Sequence, residues 1–191
     1  MKSIRSSIFF FPVLFVLFFA PQVIADEKAE ANIADILITT SKTHLLLFCA
    51  IKNSFTPEMI KGARNGIPII FDFFIELEKV KNNWPDTTLT ALTVRHTLTY
   101  DSLKEEYHVV LQERENKTVT TESTDKAMEL MAELNGKIIM DINELVPDAP
   151  YALHVKAKLA KKTLPMNIHY IIPFISLWDF ETDWRTIEFR Y

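Results

Sequence analysis

The chain is 191 residues long, 48% apolar and 24% charged, a composition that supports one domain with its own core and excludes fibrous and wholly disordered readings. It has only three glycines, Gly62, Gly66 and Gly136. Phosphate-cradling loops need clustered glycines so that backbone N–H groups can close on the ligand, so this scarcity argues against Rossmann, P-loop and kinase-type nucleotide sites. A formal net charge of −4 offers no basic stripe for nucleic acid.

Residues 1–25 read as a secretory signal. Lys2 and Arg5 form a basic start, Ile8 to Ala20 an apolar stretch, and Val23-Ile24-Ala25 a cleavage-type sequence that places the cut after Ala25. The alternative is an uncleaved anchor. Pro12, Pro21 and Gln22 interrupt the apolar stretch, whereas a spanning helix needs about 20 unbroken apolar residues, which favours cleavage. The single cysteine, Cys49, lies inside Leu45 to Ile51 and has no partner in the chain. Residues 26–191 are therefore expected to fold as one domain without an intramolecular disulfide, with Cys49 as a small apolar core residue. Asn116-Lys117-Thr118 is a formal glycosylation sequon and reads as a turn.

After a charged leader, Ile33 to Thr40 and Leu45 to Lys52 form a strand–turn–strand pattern around Ser41-Lys42-Thr43. A two-turn helix follows at residues 57–65, with Thr56 placed to cap it, Pro57 at its first position and Gly66 to stop it. From Ile67 the period becomes two. Ile67, Ile69, Phe71, Phe73, Ile75 and Leu77 share an apolar face, opposite Pro68, Ile70, Asp72, Phe74, Glu76 and Glu78. Asn82 to Asp86 turns the chain into a second long strand, on which Leu92, Val94, His96, Leu98 and Tyr100 share a face, and Tyr107, Val109 and Leu111 complete a three-strand meander. Ala127, Leu130, Met131 and Leu134 fall at helical spacing, which predicts a helix from Ser123 to Asn135, ended by Gly136, with a strand starting at Lys137. Tyr151 to Leu159 alternates cleanly, Leu164-Pro165 punctuates, 170–177 is apolar on both faces, and Ile187, Phe189 and Tyr191 mark a terminal strand. Eight or so strands and two short helices predict a mainly β fold, an antiparallel β-sandwich with two short helices. The alternative is an α+β sheet with both helices on one face.

Phe55-Thr56-Pro57-Glu58-Met59, Asn65-Gly66-Ile67-Pro68, Tyr100-Asp101-Ser102-Leu103, Leu164-Pro165 and Trp178 together resemble a family of exported bacterial proteins described only as a domain of unknown function. The resemblance covers nearly all of the chain after residue 25. It implies a bacterial envelope location in a family whose members are sometimes encoded near envelope-sensing kinases, and it carries no activity, cofactor or catalytic residue.

The five histidines show neither ligand spacing on a helix nor a paired Cys-x-x-Cys, so no metal and no cofactor is expected. His96 lies on an apolar strand face, where it is either a hydrogen-bonded core histidine or a ligand-contacting or pH-sensitive group in an internal pocket. No nucleophile elbow appears, no catalytic residue is assigned, and Asp72, Glu76 and Glu78 read as a solvated strand face. The aromatic content exceeds one inner face. Either helices cover the outer face, which is the expectation, or apolar surface remains for a partner. Trp178 to Trp184 alternates aromatic and acidic residues, fitting partner contact or a charge-protected edge. His96, Tyr100, Trp178 and Trp184 are accordingly the candidate ligand or partner contacts. The expected function is a non-enzymatic, exported envelope protein that binds another envelope protein, such as the outer domain of a membrane sensor. The alternatives are a periplasmic carrier of an apolar small molecule, lined by the Ile67 to Leu77 face and His96, and, behind it, a hydrolase.

Overall fold

The computed structural model describes residues 30–81, 85–160 and 180–191. The expected signal segment, Leu164-Pro165, the apolar run at 170–177 and Trp178 lie outside these residues. Strands β1 (Asn32–Thr40) and β2 (His44–Lys52) form the expected hairpin. Helix α1 (Pro57–Arg64) follows, its first turn capped by Thr56, whose hydroxyl accepts from the Met59 N–H, and Gly66 leaves it at φ +84°. Next come β3 (Ile69–Lys79), β4 (Thr87–Asp101), β5 (Glu106–Leu111) and β6 (Lys117–Thr121), then helix α2 (Thr124–Ala132) and strands β7 (Glu133–Asp141), β8 (Pro150–Leu159) and β9 (Arg185–Arg190).

These strands build two antiparallel sheets, one of three strands in the order β1-β2-β7 and one of six in the order β6-β5-β4-β3-β8-β9. The alternation of β3 decides which face of the larger sheet is buried: Ile69, Phe71, Phe73, Ile75 and Leu77 are all sealed from solvent. They join Val94, His96 and Leu98 of β4, Tyr107, Val109 and Leu111 of β5, and the odd-numbered residues of β8 from Tyr151 to Leu159. The three-stranded sheet covers this face with Leu45, Leu47, Cys49 and Ile51 of β2, and α1 and α2 add Met59, Ala63, Ala127 and Met131. The second layer is thus part sheet and part helix, a β-sandwich-like arrangement in which both helices sit on one face of the larger sheet. Burial pushes the Cys49 thiol up to about 12, as expected of an inert core residue.

Four expectations need correcting. Neither helix covers the outer face of the larger sheet; both pack on its inner face beside the smaller sheet. The second helix ends at Ala132 rather than Asn135, because Glu133 is already extended and Leu134 pairs with Cys49 in β2, burying its side chain completely. Strand pairing here overrides a helical pattern that continues through Leu134. Gly136 is therefore no helix stop. Leu47 pairs with Lys137 and Phe48 with Asn135, so Gly136 is the extra residue of a bulge, at φ +72°, with the Phe48 ring 3.5 Å from where a Cβ would stand. The meander also has a fourth strand, β6, whose Lys-Thr-Val-Thr-Thr sequence carries only Val119 as an apolar signal.

Since Gly136 needs a left-handed conformation, Gly136→Ala is expected to lower stability by about 1–2 kcal/mol. A urea unfolding midpoint at or above the wild-type value would show that the bulge tolerates a side chain.

Candidate functional site

His96 stands at the junction of the two layers. β4 directs it inward, where it is fully buried and its ring centroid lies 5.0 Å from that of Phe73. Both ring nitrogens are engaged: Nδ1 is 3.1 Å from the Met131 carbonyl oxygen and Nε2 is 2.8 Å from Oε2 of Glu113. Met131 lies in the last turn of α2, where carbonyls lack an intrahelical partner and where the helix has no basic residue of its own. Because a carbonyl oxygen only accepts, Nδ1 carries a proton and donates it to Met131. Between Nε2 and Oε2 there is then one more proton, bonded to the imidazole or to the carboxyl, and the pair is neutral as a unit in either case. Glu113 reaches this position from the turn between β5 and β6, and its side chain is only 1% exposed. Its other oxygen, Oε1, has no hydrogen-bond partner among the described residues; the nearest cation is Arg114, with Nε 3.8 Å away.

A second polar cluster pins the helices. Arg64, in the last turn of α1, donates from Nε to the Tyr107 hydroxyl at 2.8 Å and from Nη2 to the Thr124 hydroxyl at 3.0 Å, while those two hydroxyls are 3.1 Å apart. Thr124 opens α2, so one guanidinium links the end of one helix, the start of the other and the sheet between them. Tyr100 is half-buried beside this cluster, its ring centroid 4.8 Å from that of Tyr107.

The outer face of the larger sheet is laced with charge. Asp72 is 8% exposed and is held by Arg95 through Nε–Oδ1 at 2.7 Å and Nη2–Oδ2 at 2.8 Å, so its carboxylate is buried beneath a half-exposed guanidinium and is not the solvated group expected. Further along, Glu181 bridges Lys156 and Lys158, with the latter contact at 2.8 Å, and Lys156 also lies 5.7 Å from the ring centre of Trp184. Trp184 is 42% exposed. Residues 180–182 continue the edge of β8 before β9 begins: the Leu159 N–H donates to the Phe180 carbonyl, and Thr182 exchanges backbone and hydroxyl bonds with Ala157. Phe180 turns inward and packs edge-on against Phe71, centroids 4.9 Å apart.

The candidate residues therefore do not form one constellation. His96 and Tyr100 share the inner face of β4, Trp184 stands beside the outer face at β8 and β9, and Trp178 lies outside the described residues. Sequence reasoning missed Glu113, Arg64 and Arg95, whose partners are 17, 43 and 23 residues away and become visible only through strand pairing. It also missed Asp101, Glu106 and His108, whose ligand-type atoms lie within 4.8 Å of one another where β4 meets β5. Asp101 and Glu106 pair directly across the strands, and Lys104, 3.6 Å from Glu106, offsets the like charges, with the His108 ring 3.3 Å from the same carboxylate. Asp101 accepts from the Leu103 and Lys104 N–H groups, which hold its carboxyl below the usual range.

The family model described as a domain of unknown function (DUF4390) matches residues 28–188. The chain belongs to this family. No curated protein and no solved structure matches it. In this DUF4390 domain the His96–Glu113 pair is sealed from solvent among the described residues.

Removing the imidazole leaves the buried Glu113 carboxyl without a hydrogen bond among the described residues, so His96→Leu is expected to cost about 3–5 kcal/mol. Glu113→Gln should cost clearly less, because its amide can donate to Nε2 while Nδ1 still donates to Met131. Equal losses in denaturant midpoint for the two variants would contradict this hydrogen-bond assignment. On the outer face, Lys156 and Lys158 lower Glu181 to about 2. A carboxylate depressed in the folded state contributes stability above its unfolded value, about 4.3, and loses that contribution as the pH falls through the folded value. Carboxyl-carbon NMR should place the Glu181 midpoint near pH 2, with Trp184 fluorescence changing over the same range; a midpoint above pH 4 would show that the bridge does not form.

Proposed function

We propose that this DUF4390 chain is an exported envelope protein that acts through binding, with the outer face of its six-stranded sheet as the partner surface. One observation carries the reading: among the described residues, the smaller sheet and both helices all cover the same face of the larger sheet. The opposite face keeps ion pairs at its surface and a half-exposed tryptophan beside them. Aromatic anchors flanked by charge are characteristic of interface centres, where a ring supplies contact area at low entropic cost. Trp184, with Lys156 against its ring, is the anchor in this reading, and Trp178 in the same aromatic and acidic run is its companion. The basic and apolar first 25 residues support export with cleavage after Ala25. The partner is a protein of the same compartment, such as the outer domain of a membrane sensor, and the role requires neither metal nor cofactor.

The protein isolated from its native envelope fraction should begin at Asp26 and carry a partner that is lost when Trp178 and Trp184 are both changed to Ala, with the melting temperature unchanged. Recovery from the cytoplasmic fraction with residues 1–25 intact would overturn export. An unchanged set of co-purifying proteins with the folded double variant would overturn this surface.

A further inference from the structure

β4 is longer than its neighbour on one side. It pairs with β3 from Thr87 to Leu98, but with β5 only from His96 to Asp101. Where β5 turns away after Leu111, the outer face opens into a cleft of about 300 Å³ lined by Thr93, Arg95, Thr97, Val110, Gln112 and Asn116. The cleft lies at β4 and β5, on the far side of β3 and β8 from Trp184, and the inference does not rest on the partner reading above.

Two of the polar groups left over in this cleft can only donate, Arg95 Nη1 and the Gln112 NH₂ group. Arg95 is fixed by Asp72 through Nε and Nη2, and Nη1 has no hydrogen-bond partner among the described residues. Gln112 accepts the Arg95 backbone N–H on Oε1 at 2.7 Å, and since an N–H only donates, this bond fixes the amide orientation. The Gln112 NH₂ group is therefore left to the cleft. The Asn116 amide and the Thr93 and Thr97 hydroxyls make no hydrogen bond among the described residues and complete the polar lining, while Val110 adds an apolar patch between them. The two fixed donors call for a ligand that presents two acceptor atoms. Its charge is also bounded. Arg95 is the one cation among the described residues lining the cleft and Asp72 already shares it, so nothing there balances a phosphate dianion, whereas a single carboxylate can take the free Nη1 as a second acceptor on the same guanidinium. The guanidinium and the Gln112 amide are held by hydrogen bonds before the ligand arrives, which lowers the ordering cost of binding.

We infer that this cleft is a binding site for a carboxylate, its oxygens taken by Arg95 Nη1 and the Gln112 amide and its carbon substituent resting on Val110. A free small acid and a peptide C-terminus share this chemistry. The test is a ¹H–¹⁵N NMR titration of the whole protein at constant ionic strength with acetate, N-acetyl-dialanine, acetamide and inorganic phosphate as probes. Saturable shifts confined to residues 93–97, 110–112 and 116 are expected with acetate or the peptide, and tighter binding of the peptide identifies a chain terminus as the source. Gln112→Glu keeps an acceptor for the Arg95 N–H but replaces the donor with a negative oxygen, and it should weaken carboxylate binding at least tenfold with the spectrum otherwise unchanged. Thr97→Val, which leaves both fixed donors in place, should weaken it less. Equal binding of acetamide, tighter binding of phosphate, shifts spread over the whole sheet, or unaltered affinity in Gln112→Glu would each overturn the inference.

Discussion

The arrangement of this fold depends on how one buried imidazole is satisfied. His96 comes from the sheet, Met131 from the end of a helix that crosses the sheet's inner face, and Glu113 from a turn that folds back beneath the smaller sheet. Each brings a polar atom that would be costly to bury alone. The helix end contributes a carbonyl with no partner of its own, the turn contributes a carboxyl, and the imidazole serves both. Apolar packing holds the two layers together, but apolar contact is nearly indifferent to small sliding motions. The His96 junction is directional, so it fixes the last turn of α2 over β4, while the pairing of Leu134 with Cys49 ends the helix and begins β7. Its geometry also explains the backbone beyond it: Glu115 and Asn116 both stand at positive φ, 57° and 61°, as the chain reverses into β6 after delivering Glu113 inward. Strain of this kind persists only where the surroundings over-determine it.

The two faces of the larger sheet follow from the same division. Inward residues are packed under a composite of sheet and helices, with Arg64 joining the helix ends over Tyr107. Among the described residues the outward side chains meet neither helix, and Asp72 pairs with Arg95, Glu181 with two lysines, while Glu78 lies 3.4 Å from the His154 ring. Exposed pairs of this type add little stability. What they provide is a surface of fixed charge and donor pattern on rigid strands, the kind of support on which binding groups hold their geometry. The proposed partner anchor at Trp184 and the carboxylate cleft at Arg95 are two regions of that surface, separated by β3 and β8.

Much of the fold was legible in the residues because local chemistry and global packing agree there. The period of two in Ile69 to Leu77 survives as a sealed face, and Thr56, Pro57 and Gly66 start and stop α1 where capping chemistry puts them. The end of α2 was not legible, since Leu134 satisfies a helical stripe and a strand face equally well and only pairing with Cys49 decides between them. β6 escaped because an outward-facing edge strand of threonines needs no apolar alternation. The candidate site was less legible still. The apolar face of β4 singled out His96, but an acid in a polar turn gives no sign that it will be buried. Glu113 becomes intelligible only when the register of β4 and β5 brings its turn over the imidazole.

The most direct test of this account is the protonation pattern of the His96 ring, read by ¹⁵N-detected imidazole NMR on the folded protein. The account predicts a proton on Nδ1 that exchanges slowly with water and shows scalar coupling to the Met131 carbonyl carbon. A proton-free Nδ1, or a ring whose protons exchange as fast as those of a surface histidine, would contradict it.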